Sequence, residues 1–140
     1  MGKILLVGGY PPPYGGISVH VKRLFEVLKR DHSVFVLDMY GDVCGERQGE
    51  IIRCGRFVPF NLFKALFFIK KINAEIVHCH VSAISKFLLA GIPIMFFAGD
   101  SARKIVTIHS GGFVKNIENF NIFQKTLFVF LIEKIDHVIV

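Results

Sequence analysis

Gly8-Gly9-Tyr10-Pro11-Pro12-Pro13-Tyr14-Gly15-Gly16-Ile17-Ser18-Val19-His20 joins two apolar patterns of different period, and that junction decides the fold. Ahead of it, Ile4-Leu5-Leu6-Val7 reads as a buried strand. Behind it, Ile17, Val21, Leu24 and Leu28 recur at helical spacing with Phe25 on the same face. The three prolines fix φ and predict an extended loop. Gly15 and Gly16 remove side chains where the helix begins, so backbone amides there can approach a ligand closely. A helix N-terminus favours a negative one. A loop of this build suits a phosphate, such as the pyrophosphate of a nucleotide. It equally suits a tight turn whose glycines serve geometry alone. Two better-known phosphate loops are excluded: the glycine spacing is not G-x-G-x-x-G, and no G-K-[ST] follows. Asp38, ending the next apolar run, stands where a nicotinamide enzyme would hold a ribose, though without the glycine spacing that goes with it.

The chain, 140 residues taken as one domain, is long enough to bury a core, and at 52% hydrophobic it lies far from disordered composition. Fifteen phenylalanines and no tryptophan predict an aromatic core of unusual make-up. The net charge of +6 is spread in pairs, Lys22-Arg23, Lys29-Arg30, Lys70-Lys71 and Arg103-Lys104, with no arginine-rich run. That pattern argues against nucleic acid as a partner. It fits peripheral contact with an anionic membrane surface, or ordinary solvated helix faces. Cys44, Cys54 and Cys79 form no disulfide framework, which points to a reducing cytoplasm, at the inner face of the membrane if the basic surface touches lipid. The four strongly apolar residues before Gly8 are too few for a signal peptide, and Leu6 stands where a myristoylation motif needs Ser or Thr. The longest apolar run, Phe87 to Gly99, contains Pro93 and is too short to span a bilayer.

Strand and helix signals then alternate, which predicts a parallel sheet with helices on both faces. Ser33–Asp38 is a second strand, Tyr40–Gly49 a polar loop, and Ile51–Arg53 a short strand. Asn61 is a candidate cap for a helix carrying Leu62, Phe63, Leu66, Phe67 and Ile69. That face is bulky enough to be core or to meet a membrane or partner. Glu75–His80 is a strand with His78 and His80 on one face and Cys79 on the other. A zinc site needs a second ligand pair of suitable spacing, which is lacking, so no metal is assigned. Ser82 is a candidate cap for a helix disturbed at Gly91-Ile92-Pro93. Lys104–His109 is a strand followed by Ser110-Gly111-Gly112, which puts His109 at the ligand-bearing edge of an open α/β sheet. A helix from Phe123 and a strand over 135–140 complete the chain.

Four pieces, in order and at ordinary spacing, resemble the N-terminal half of family 4 glycosyltransferases of the GT-B type. They are Gly15-Gly16 with His20, Glu75–His80 (EIVHCH), Lys104–Gly112 (KIVTIHSGG), and Ile135–Val140 (IDHVIV). Two departures are visible: Glu75 where Asp is commoner, and Ser110 where glycine is usual, with Gly111 one place later. The resemblance implies a Rossmann-like, acceptor-side domain of a retaining, metal-independent enzyme. Such an enzyme moves a hexose from a nucleotide-sugar to a glycan or lipid-linked acceptor and needs no cofactor. By that resemblance His109 is catalytic and lies near the donor sugar, Gly15 and Gly16 contact the donor phosphates, and Tyr10, His20, Ser110 and Gly111 lie on the acceptor side. The paired-glutamate donor motif of the second half does not occur in this chain, so the C-terminal domain or a partner subunit is expected to complete the enzyme, and the chain alone is expected to be inactive. The rival reading is a non-catalytic interaction subunit or remnant that pairs with a separate donor-binding chain.

Overall fold

The computed structural model describes residues 2–41, 44–55, 59–83 and 87–140. Its centre is the first strand, β1 (Lys3–Gly8), which pairs in parallel with β2 (Ser33–Asp38) on one side and β5 (Ile76–Val81) on the other. With β3 (Cys44–Gln48), β4 (Ile51–Cys54), β6 (Arg103–Ile108) and β7 (His137–Ile139), the sheet order is β3-β4-β2-β1-β5-β6-β7. All neighbours are parallel except β3 on β4. Without that antiparallel edge, the order is the doubly wound one of a Rossmann-like fold, reversing between β1 and β5. The α/β parallel-sheet architecture expected from the sequence is therefore the one observed.

Strands buried on both faces explain the unbroken apolar runs. On one face, Leu5, Val7, Val77 and Val106 pack under α2 (Pro59–Ile72), α3 (Ile92–Phe97) and α5 (Ile122–Ile132). On the other, Ile4, Leu6, Val34 and Val36 pack against Val21 and Phe25 of α1 (Gly16–Leu28). A Cβ on Gly8 would meet Val21 Cγ2 at 3.3 Å and His80 Cβ at 3.2 Å, so glycine there lets α1 sit tightly over β1 and β5. A short α4 (Phe113–Glu118) follows β6. Among the described residues no helix is long and apolar enough to cross a membrane.

Several local expectations are corrected. Part of the loop expected over 40–49 forms β3, because Gly49 in the left-handed region lets the chain turn back and pair Gln48 with Ile51. The helix expected to be capped by Asn61 begins at Pro59, whose missing N–H is harmless in a first turn. Its apolar face divides: Leu66 and Ile69 are buried, whereas Phe63 and Phe67 are exposed. The expected cap at Ser82 borders 84–86, which lie outside the described residues. Beyond them Phe87–Gly91 is a wide π turn that leads into α3 just before Pro93. A Cβ on Gly91 would stand 3.0 Å from the Phe87 ring, which fills the core there. The helix expected from Phe123 starts one residue earlier, after a cap at Asn121, which accepts from the Gln124 amide at 2.8 Å while Gln124 Oε1 accepts from the Asn121 amide at 3.1 Å.

Candidate functional site

The carboxyl ends of β1, β5 and β6 meet the start of α1 at one edge of the sheet, where the strand order reverses. The loop that crosses this edge bends at Pro11–Pro13 instead of running extended. A buried ion pair holds it in place. The Asp38 carboxylate is fully buried and lies 2.7 Å from Arg53 Nη1. Its Oδ1 accepts from the amides of Tyr10, Tyr40 and Gly41 at 3.1–3.2 Å. The Arg53 guanidinium also donates to the carbonyls of Pro11 and Pro12, each at 3.2 Å. One carboxylate and one guanidinium thus tie β2 and β4 to the loop after β1. With its acceptors occupied and no exposed surface, Asp38 has nothing left to offer a ribose, which removes the nicotinamide reading.

Ser18, buried, organises the next segment. Its hydroxyl accepts from the Gly15 amide at 2.8 Å and donates to the Pro13 carbonyl at 2.8 Å. The Gly15 N–H is therefore engaged within the protein. The amides that remain free at the start of α1 are those of Gly16, Ile17 and Ser18, which have no hydrogen-bond partner among the described residues. Neither glycine is demanded by backbone conformation, since Gly15 is extended at φ −160° and Gly16 begins the helix. Nor is Gly16 demanded by packing, because a Cβ there would meet nothing within 4 Å. An open pocket of about 250 Å³ lies over these amides, walled in part by Tyr10, Tyr14, Tyr40 and Ser82.

One turn further along α1, the exposed His20 reaches over the ends of β5 and β6. Its ring centroid lies 5.3 Å from that of His80 and 5.2 Å from that of His109. His80 Nδ1 and His109 Nε2 share a hydrogen at 3.2 Å. His78 stacks on His80 at 4.2 Å and hydrogen-bonds Thr107 Oγ1 through Nε2 at 2.8 Å. Paired across the sheet with Leu6, His78 projects toward the α1 face, and so does His80. His80 Nε2 is buried and lacks a hydrogen-bond partner among the described residues.

The electrostatics of this cluster are uniform. Burial, then the neighbouring imidazoles of His20 and His109, push His78 down from 6.5 to about 4. Burial and the three other histidines push His80 down to about 2. His109 is lowered as well, first by burial and then by His20. The three imidazoles are therefore neutral at pH 7, able to donate and accept hydrogen bonds without carrying charge.

The predicted site residues thus fall into two adjoining groups. Gly15, Gly16 and Tyr10 line the pocket, although the Tyr10 ring also packs edge-on against Phe25 at 5.9 Å. His20 and His109 meet beside it, and Ser110 and Gly111 continue from His109 outside the pocket lining. Sequence reasoning placed His80 on one strand face with His78 without giving it a role, and did not single out Arg53 or Ser18. The chain matches no protein-family model, and no curated protein matches it.

Proposed function

We propose that this domain is the acceptor-side half of a retaining glycosyltransferase that moves a hexose from a nucleotide-sugar to a glycan or lipid-linked acceptor. One observation carries the reading: unpartnered amides at the start of α1 and the His109 imidazole stand on the same carboxyl edge of the sheet, with His20 bridging them. The motif resemblance in the sequence supplies the reaction class. In this reading the amides of Gly16, Ile17 and Ser18 stabilise the negative charge that builds on the departing diphosphate. The neutral His109 hydrogen-bonds the sugar as the glycosidic bond breaks, and binding in the crevice aligns donor and acceptor. Among the described residues no exposed carboxylate lines the site to act as a general base, which suits retaining chemistry in which the leaving phosphate takes the acceptor proton.

A donor-binding half, in the same polypeptide or in a partner subunit, belongs to this proposal. The exposed Phe63, Phe67 and Phe97, beside Lys70 and Lys71, favour apolar contact with such a partner or with a membrane surface. They also keep the non-catalytic interaction reading in play. The test is His109→Ala in a protein that carries both halves. Sugar transfer is expected to fall by ~10²-fold or more in kcat, with unfolding midpoints close to those of the parent. Equal losses in activity and stability would make His109 structural and overturn the assignment.

A further inference from the structure

His20, His80 and His109 come from α1, β5 and the end of β6, and each offers a ring nitrogen within 4.8 Å of the other two. We propose that they form a site for a single zinc-class transition-metal ion, with the fourth coordination position open to the crevice. Zinc–imidazole bonds of about 2.0–2.1 Å in a tetrahedron set the ligand nitrogens about 3.3 Å apart. His80 Nδ1 and His109 Nε2 already stand 3.2 Å apart, and a tilt of their rings, whose centroids lie 5.5 Å apart, converges both lone pairs on one ion. His20 is exposed and belongs to a helix surface, so a side-chain rotation closes the remaining gap.

The chemistry agrees with the geometry. Three imidazole donors, with no carboxylate among the described residues of the cluster, select borderline ions such as Zn²⁺, Co²⁺ or Ni²⁺ over Mg²⁺ or Ca²⁺, which take oxygen ligands. Coordination through His80 Nδ1 and His109 Nε2 places each ring's hydrogen on its other nitrogen, so the hydrogen bond the two share gives way to the ion and no proton is released. His80 Nε2, which has no partner among the described residues, then carries that ring's hydrogen. The ring of His80 is held from behind by the His78 stack, itself anchored on Thr107. Three protein ligands and one open position is the pattern of an exchangeable zinc site, whereas a structural one is closed by four. The family resemblance implies sugar transfer without a metal. The site shares His20 and His109 with the proposed function, so an ion bound there competes with the sugar for His109, and the metal titration and the transfer assay read the two separately.

The experiment is a Co²⁺ titration of the full chain, free of any affinity tag and stripped with chelator, followed by displacement with Zn²⁺. Tetrahedral Co²⁺ absorption that saturates at one ion per chain is expected, and Zn²⁺ should abolish it. His20→Ala and His109→Ala, both at accessible positions, should each weaken binding by about tenfold or more while circular dichroism shows the fold retained. His137→Ala, on β7 and outside the cluster, should bind like the parent. No saturable absorption up to about 100 μM Co²⁺, an affinity of only ~5 kcal/mol, would overturn the proposal. So would unchanged affinity in His20→Ala and His109→Ala, or equal losses in His137→Ala.

Discussion

Replacing Arg53 with methionine keeps the aliphatic stem but deletes the charge that neutralises Asp38. The Asp38 side chain has no exposed surface, and that of Arg53 is 10% exposed, with 2.7 Å between their charged atoms. Breaking a buried pair from one side strands an ion in a poorly polarisable interior, at ~3–5 kcal/mol. Loss of the donors to the Pro11 and Pro12 carbonyls adds to this, less severely because Pro12 is exposed to water. Domains of this kind are stable by ~5–15 kcal/mol, so Arg53→Met should remove about a fifth of the total or more. Urea unfolding followed by circular dichroism reads the change. Asp38→Asn combined with Arg53→Met removes both charges and should recover a large part of the loss, which a double-mutant cycle isolates. An Arg53→Met cost below ~1 kcal/mol, in the range of exposed pairs, would refute the claim that this pair anchors the crossing loop.

Acid should destabilise the fold through the histidine cluster. A folded value near 4 for His78 against 6.5 means that the unfolded chain binds the proton more readily. The contribution is complete above pH 6.5 and is lost as pH falls toward 4, at most ~3 kcal/mol from this residue. His80 and His109 act in the same direction. Urea midpoints in chelator should drop between pH 7 and pH 4.5, and His78→Gln should flatten that slope; a pH-independent midpoint would show the cluster to be solvated. Gly16→Val fills empty space at a helix start, so its unfolding free energy should stay within ~1 kcal/mol of the parent. Its affinity for a nucleoside diphosphate, measured by calorimetry, should fall, and unchanged affinity would remove the phosphate role.

Much of the fold was legible because interior parallel strands announce themselves as apolar runs bounded by turns. Ile4–Val7, Ser33–Asp38 and Lys104–His109 each fall within a residue or so of the strands that form. β3 was not legible: Cys-Gly-Glu-Arg-Gln carries no alternation, and its pairing is imposed from one side by the turn at Gly49. The helix before Gly99 was obscured because Pro93 interrupts the hydrogen-bond ladder in the middle of an apolar stretch. At the site, position along a strand sufficed to place His109 at the carboxyl edge, and the glycine pair pointed to Gly15 and Gly16, which line the pocket. Engagement of the Gly15 amide by Ser18 was hidden, since it depends on how the proline loop bends. Also hidden were the Asp38–Arg53 pair and the His20–His80–His109 cluster. Both join residues distant in sequence, which only the strand order brings together.

An anionic nucleotide should bind at the start of α1. Amide chemical shifts of the isotopically labelled chain, recorded in chelator while a nucleoside diphosphate is added, test that in one experiment. The expected result is saturable change at Gly16, Ile17 and Ser18, extending to His20 and His109, with the opposite strand ends at Lys3, Ser33 and Arg103 unmoved. Changes centred on those opposite ends, or none at any residue of the crevice, would contradict it.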